Sequence, residues 1–208
     1  NNTAKNPVSG DVYSNLIDQN GQPTDVDVTL MTSFGLFDQG AVTGDDSGVI
    51  PDAALAEYYY FGRYGIPSQV KLKISGLDFN NKYNFKFVGS STFSNASISD
   101  NGSTVYKIGN KSASLYVQDN TQNFALIENV TANAQGEIEI DMEKGSGALV
   151  GYINALIIEA YAGEETLYFP TELEANAHSK NSIELTWNDN SFDENGYEIY
   201  RSSNGPDG

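Results

Sequence analysis

Tyr58, Tyr59, Tyr60, Phe61 and Tyr64 stand within seven consecutive positions, with Arg63 among them. Aromatic rings stack on the apolar faces of pyranose sugars, and a guanidinium beside them can hydrogen-bond sugar oxygens. The same residues can equally fill a core. On an extended strand Tyr58 and Tyr60 point one way while Tyr59 and Phe61 point the other. One pair is then expected in the core, and the other pair, or Tyr64 beyond the break at Gly62, can face a ligand. Tyr59 and Tyr64 are the contact candidates, with Arg63 beside them. Phe34 and Phe37 of "FGLF" bring two more rings from the segment 32–50, expected at the same loop end as 62–67.

A second chemistry lies in "GAVTGDDSGVIPD", residues 40–52. Asp45, Asp46 and Asp52 fall in a Gly-flanked loop, and Ca²⁺ takes loop carboxylates together with backbone carbonyls. The spacing is not that of an EF-hand, so the alternatives are a calcium site or an ordinary polar turn. "NDNSFDENG" (188–196) has similar composition and suits a turn closed by Asx-type side-chain hydrogen bonds.

Other chemistries lack their residues. There is no cysteine, which excludes disulfides, thiolate metal sites and cysteine nucleophiles. The single histidine, His178, falls in an expected turn, and no G-x-S-x-G elbow, H-E-x-x-H, P-loop or dinucleotide fingerprint accompanies it. No pair of carboxylates is marked for glycoside hydrolysis. The chain is read as no enzyme. Its net charge of −17 opposes nucleic acid and anionic lipid. No stretch approaches the roughly 20 apolar residues of a membrane span, so no membrane insertion is expected. Sequons at Asn1, Asn95, Asn101, Asn110 and Asn129 are the chance product of an Asn/Ser-rich chain.

The elements that must position the candidate residues are strands. "QVKLKIS" (69–75), "KYNFKFV" (82–88) and "GEIEIDM" (136–142) alternate apolar and polar residues, the pattern of strands with one wet face. "GLDFNN" predicts a turn that makes the first two antiparallel neighbours. Further strands are expected at 26–31, 104–108, 113–117 and 123–130. "ALIIEAY" (155–161) is continuously apolar and predicts a central strand. "PDAALAE" (51–57) has room for a turn or two of helix. Strands at this spacing with Gly-rich turns point to an all-β antiparallel sandwich or jelly roll.

Alternation stops at "AGEETLYFPT", and a new pattern follows, with Ile183, Leu185 and Trp187 as one inward set and Tyr197, Ile199 and Arg201 on the next strand. Pro170, Leu173, "SIELTW" and "DNSFDENGYEIYRS" resemble the opening of a fibronectin type III domain. About three of its seven strands are covered, so the sandwich is incomplete here. Residues 8–163 resemble a galactose-binding-like sandwich domain of exported bacterial proteins. "KISGLDFNNKYNFKFVGSS", "ANAQGEIEIDM" and "GYINALIIE" carry that likeness, with "NLIDQNG" before them. The division is therefore 1–163 sandwich, 164–170 linker and 171–208 partial fibronectin module.

The resemblances imply a non-catalytic module that binds polysaccharide or glycan beside other domains of one parent chain, outside the cell or at its surface. "NNTAKNPVSG" suits a start left after export processing. The alternative is a structural or interaction domain of a large adhesin or filament that binds no sugar.

Overall fold

The computed structural model describes residues 7–93, 102–162, 170–190 and 196–199. Sequon residues Asn1, Asn95 and Asn101, the linker residues 164–169, and Arg201 lie outside them. The chain divides into two units, Asn1–Ala162 and Gly163–Gly208.

The first unit contains twelve strands and one helical turn: β1 Val12–Tyr13, β2 Asp27–Leu30, β3 Gly35–Phe37, α1 Asp52–Leu55, β4 Tyr58–Phe61, β5 Gln69–Ser75, β6 Asn81–Val88, β7 Ser103–Ile108, β8 Lys111–Tyr116, β9 Ala125–Thr131, β10 Ile138–Lys144, β11 Gly151–Ile153 and β12 Ala155–Ala162. Six of them form one sheet in the order β1-β2-β5-β10-β7-β8, and two three-stranded sheets run β11-β4-β3 and β12-β6-β9. Strand pairings within these sheets are antiparallel.

Alternation sets the two faces of the large sheet. Register places Ile74 opposite Ile138, Leu72 opposite Ile140 and Val70 opposite Met142, and all six are buried. The residues between them face water. There Lys71 meets Glu139 at 2.6 Å and Asp141 at 3.6 Å, Lys73 meets Glu137 at 2.7 Å, and Lys107 meets Glu143 at 2.5 Å. Exposed pairs of this kind contribute ~0.2–1 kcal/mol each. Fully burying one aliphatic side chain contributes ~1.5–3 kcal/mol, so the apolar face dominates.

The other sheets close over that face. Tyr106 of β7 stacks on Phe87 of β6 at 4.4 Å, and its hydroxyl donates to the Tyr152 carbonyl of β11 at 2.8 Å. One continuous core runs between the layers. The architecture is all-β and antiparallel, consistent with a sandwich. Asn154, in the G-Y-I-N-A segment, ties the layer together: its Oδ1 accepts the Ser90 N–H at 2.7 Å and its Nδ2 donates to the Leu55 carbonyl at 2.7 Å. Among the described residues no helix is long and apolar enough to cross a membrane.

Two strand expectations require correction. β5 and β6 are not neighbours; β5 pairs with β2 and β10, while β6 pairs with β9 and β12. The link between them crosses from sheet to sheet because Leu77 is buried and its N–H donates to the Gly136 carbonyl at 3.0 Å. β12 is an edge strand, not a central one. Its apolar run reflects burial on both sides at that edge: Leu156 and Ile158 pack on the main core, while Ala155 and Ile157 pack on a small cluster of Ile50, Leu55 and Val88.

The second unit contains an antiparallel pair, β13 Thr171–Ser179 and β14 Ser182–Asn188. His178 lies in β13 and is exposed, where a turn was expected. Leu185 and Trp187 are half-buried and Trp187 meets Tyr197 at 5.1 Å, but Ile183 is 69% exposed, so the inward set is incomplete within this unit. Tyr197 and Ile199 lie in no strand.

Burial of phenols makes the core sensitive to alkali. Desolvation pushes Tyr106, Tyr152 and Tyr59 well above the ordinary tyrosine range. A group whose folded pKa exceeds its unfolded value stabilises the fold below the unfolded value, about 10 for tyrosine, and that stability falls as pH rises further. Phenolate absorbance is therefore expected to develop in two stages above pH ~10, the later one together with loss of near-UV circular dichroism. Tyr106→Phe should shrink the later stage. Complete ionisation with the dichroism intact would contradict this burial.

Candidate functional site

The tyrosine cluster is divided by the faces of the β11-β4-β3 sheet. Tyr59 lies opposite Leu36 and Ile153, and Phe61 opposite Gly151, with Phe34 against both at 5.8 and 6.2 Å. Tyr58 and Tyr60 occupy the other face with Phe37 and Tyr152. Two glycines make this crowding possible. A Cβ on Gly35 would stand 2.0 Å from the Tyr60 ring, and one on Gly151 would stand 2.1 Å from the Phe61 ring. Each ring lies across a cross-strand partner that has no side chain. Phe34 is 0% exposed, so it belongs to the core and not to a contact surface, against expectation.

The chain leaves β4 through Gly62 and turns sharply. The Ile66 N–H donates to the Arg63 carbonyl at 3.0 Å, and the two residues between, Tyr64 and Gly65, have φ of +53° and +81°. Two positive central φ values are the mark of a type I′ turn, which favours Asn or Gly at the first of them. A tyrosine there costs about 1–2 kcal/mol in backbone energy. The strained residue presents its ring to solvent, 63% exposed. The Arg63 guanidinium lies over that ring, 4.6 Å from its centroid.

Tyr64 ends a row of rings. Its ring meets Tyr60 edge-on at 6.0 Å, and Tyr60 is stacked on Phe37 at 5.1 Å, with Phe37 39% exposed. Beneath the row is a notch of about 10 Å³, lined by Arg63, Tyr60, Phe93, Val150 and Tyr152 among others. Arg63, one of the lining residues, has its Nη1 buried and without a hydrogen-bond partner. The expected meeting of segments 32–50 and 62–67 thus occurs through Phe37, Arg63 and Tyr64. Tyr60 and Phe93 join them without having been singled out, and the bracket Gly62-Arg63-Tyr64-Gly65 was the available signal for a projecting ring.

Tyr59 lies elsewhere, in a cleft of about 430 Å³ between the β1-β2-β5 end of the large sheet and the β11-β4-β3 sheet. Its hydroxyl shares a 2.6 Å hydrogen bond with that of Tyr13. The walls are aliphatic, including Leu16, Val28, Leu36, Ile153 and Leu156. Asn154 has both amide atoms occupied, which leaves Glu57 and the paired hydroxyls of Tyr13 and Tyr59 as polar side chains of the cleft.

In the acidic loop the carboxylates serve the loop's own N–H groups. Asp52 accepts from the amides of Thr43 at 2.8 Å and Gly44 at 2.6 Å and from the Thr43 hydroxyl at 2.9 Å. Asp46 accepts from the Asp52 amide at 2.8 Å, and Asp45 from the Ser47 amide at 3.2 Å. Hydrogen bonding to Thr43 holds the Asp52 carboxyl below its ordinary range, and hydrogen bonding to Ser47 does the same for Asp45. These bonds account for the loop's shape by themselves. Among the described residues no three or more His, Asp or Glu side chains gather as a metal site.

No family model matches this chain, and neither a curated protein nor a solved structure does.

Proposed function

We propose that the first unit is a non-catalytic glycan-binding module of the galactose-binding-like sandwich type, and that Phe37, Arg63 and Tyr64 form its contact platform, backed by the buried ring of Tyr60. It belongs to an exported protein, outside the cell or at its surface, and the second unit is the start of a fibronectin type III spacer toward other domains. The observation that supports this best is Tyr64. A bulky residue at positive φ persists only where the surroundings hold it there, and such strain gathers at ligand sites. Here the strain projects an open ring beside a guanidinium.

The test separates ring from backbone. Asn tolerates the left-handed conformation, so Tyr64→Asn should keep or raise stability, by about 1 kcal/mol, while weakening glycan binding at least ~10-fold. A glycan array followed by titration calorimetry, run with Ca²⁺ and then with EDTA, checks both affinity and the calcium expected of Asp45, Asp46 and Asp52. Undiminished binding by the variant would remove Tyr64 from the site.

The aliphatic cleft favours a second reading, an interaction domain that docks protein and binds no sugar. Absence of binding across neutral and acidic glycans in both buffers would select it.

A further inference from the structure

We infer that the platform selects a sugar carrying a carboxylate, a hexuronic acid unit, and that Arg63 is its specificity-determining residue; this rests on the glycan-binding reading.

A buried donor without a partner costs about 1–3 kcal/mol, and more when charged, so native structures rarely keep one without a use. Arg63 Nη1 is such a donor. It stands in a chain that has 28 acidic residues against 11 basic ones. Lys71, Lys73, Lys86 and Lys107 each meet a carboxylate. Among the described residues no acid pairs with Arg63, although it stands over Tyr64 at the end of the ring row.

The notch that Arg63 lines admits an atom of oxygen size and little more. An anionic oxygen there gains a charge-assisted hydrogen bond, roughly twice as strong as a neutral one. Stacking on Tyr64 fixes the plane of the guanidinium. A carboxylate oxygen brings the charge that this bond requires, which a neutral hydroxyl does not. A pyranose lying on Tyr64 and Phe37 would bring a ring substituent to this edge. At physiological ionic strength the field of the net charge of −17 is screened beyond ~8 Å, so carboxylates farther than that from Arg63 weigh little on an anion there.

The experiment compares the intact chain's affinity for oligogalacturonate, for its methyl ester, which keeps the ring and loses the charge, and for neutral galactan and glucan oligomers. The acid should bind at least ~10-fold more tightly than the ester. Arg63→Gln should abolish that preference, and Arg63→Lys should restore part of it. Equal affinity for acid and ester, or tighter binding of a neutral oligomer, overturns the inference and leaves the glycan reading standing. Binding of none of these, with a full array also negative, overturns both. The acid–ester comparison is made on the unaltered chain, so it holds even where a variant fails to fold.

Discussion

Gly76→Ala is expected to remove about 2–5 kcal/mol of stability from the first unit. Gly76 opens the crossing from β5 and has φ of +79°, a conformation that costs a side-chain-bearing residue ~1–2 kcal/mol. Space compounds the strain. An added Cβ would stand 1.9 Å from the Asp25 carbonyl oxygen and 2.7 Å from its carbon. Both are backbone atoms, so no rotamer change relieves the clash, and overpacking of this sort costs about 1–3 kcal/mol more. Against a typical total of about 5–15 kcal/mol the loss is large. It should lower the melting temperature by roughly 4–20 °C in calorimetry. Gly109→Ala is the control. It too has positive φ, +57°, but nothing lies within 4 Å of its Cβ position, so only the conformational part should appear. Equal losses at the two positions would mean that the Asp25 carbonyl does not press on Gly76.

Phe87→Ala should cost about 3–5 kcal/mol, within the range for deleting a buried aromatic side chain. Phe87 is wholly buried, parallel to Phe85 at 6.3 Å and to Tyr106 at 4.4 Å. Its strand β6 is the middle of three, so neighbours on both sides limit collapse into the cavity. The effect should reach the ring platform, because the Tyr106 hydroxyl holds the Tyr152 carbonyl and Tyr152 packs on Tyr58 at 5.0 Å. Urea titration should show a lower midpoint with an unchanged slope, the sign of lost stability without altered compactness. A loss below ~1 kcal/mol would contradict the tight packing of this stack.

Much of the large sheet was legible because its strands have one wet face. "QVKLKIS" coincides with β5, and "GEIEIDM" begins two residues before β10. Pairing was less legible. Whether "GLDFNN" turns back or crosses over depends on Leu77 meeting Gly136, 59 residues away in the chain and invisible to local pattern. The run in β12 misled for a related reason: an edge strand backed by α1 and its loop is apolar on both sides, as a central strand is. β3 and β11 escaped notice because each is three residues long and opens on a glycine, which in sequence suggests a turn.

At the site, parity carried more information than composition. Phe34 and Phe37 are three residues apart, which puts them on opposite faces of an extended chain; only Phe37 reaches the surface. Tyr59 and Tyr64 are parted by the turn that follows β4. The fate of Asp45, Asp46 and Asp52 was not readable, since their bonding to amides of their own loop depends on backbone angles that composition leaves open.

The empty positions beneath Tyr60 and Phe61 bear on how this sequence is free to vary over time. Residue 35 can acquire a side chain only after residue 60 has lost its ring, and the same holds for residues 151 and 61. An intermediate with both groups is strained, and one with neither leaves a hole in the core. Each pair is therefore tied into a joint trajectory, and Tyr60 also backs the platform. Redesign of the binding surface at that position opens the way to altering a strand on which no ligand rests.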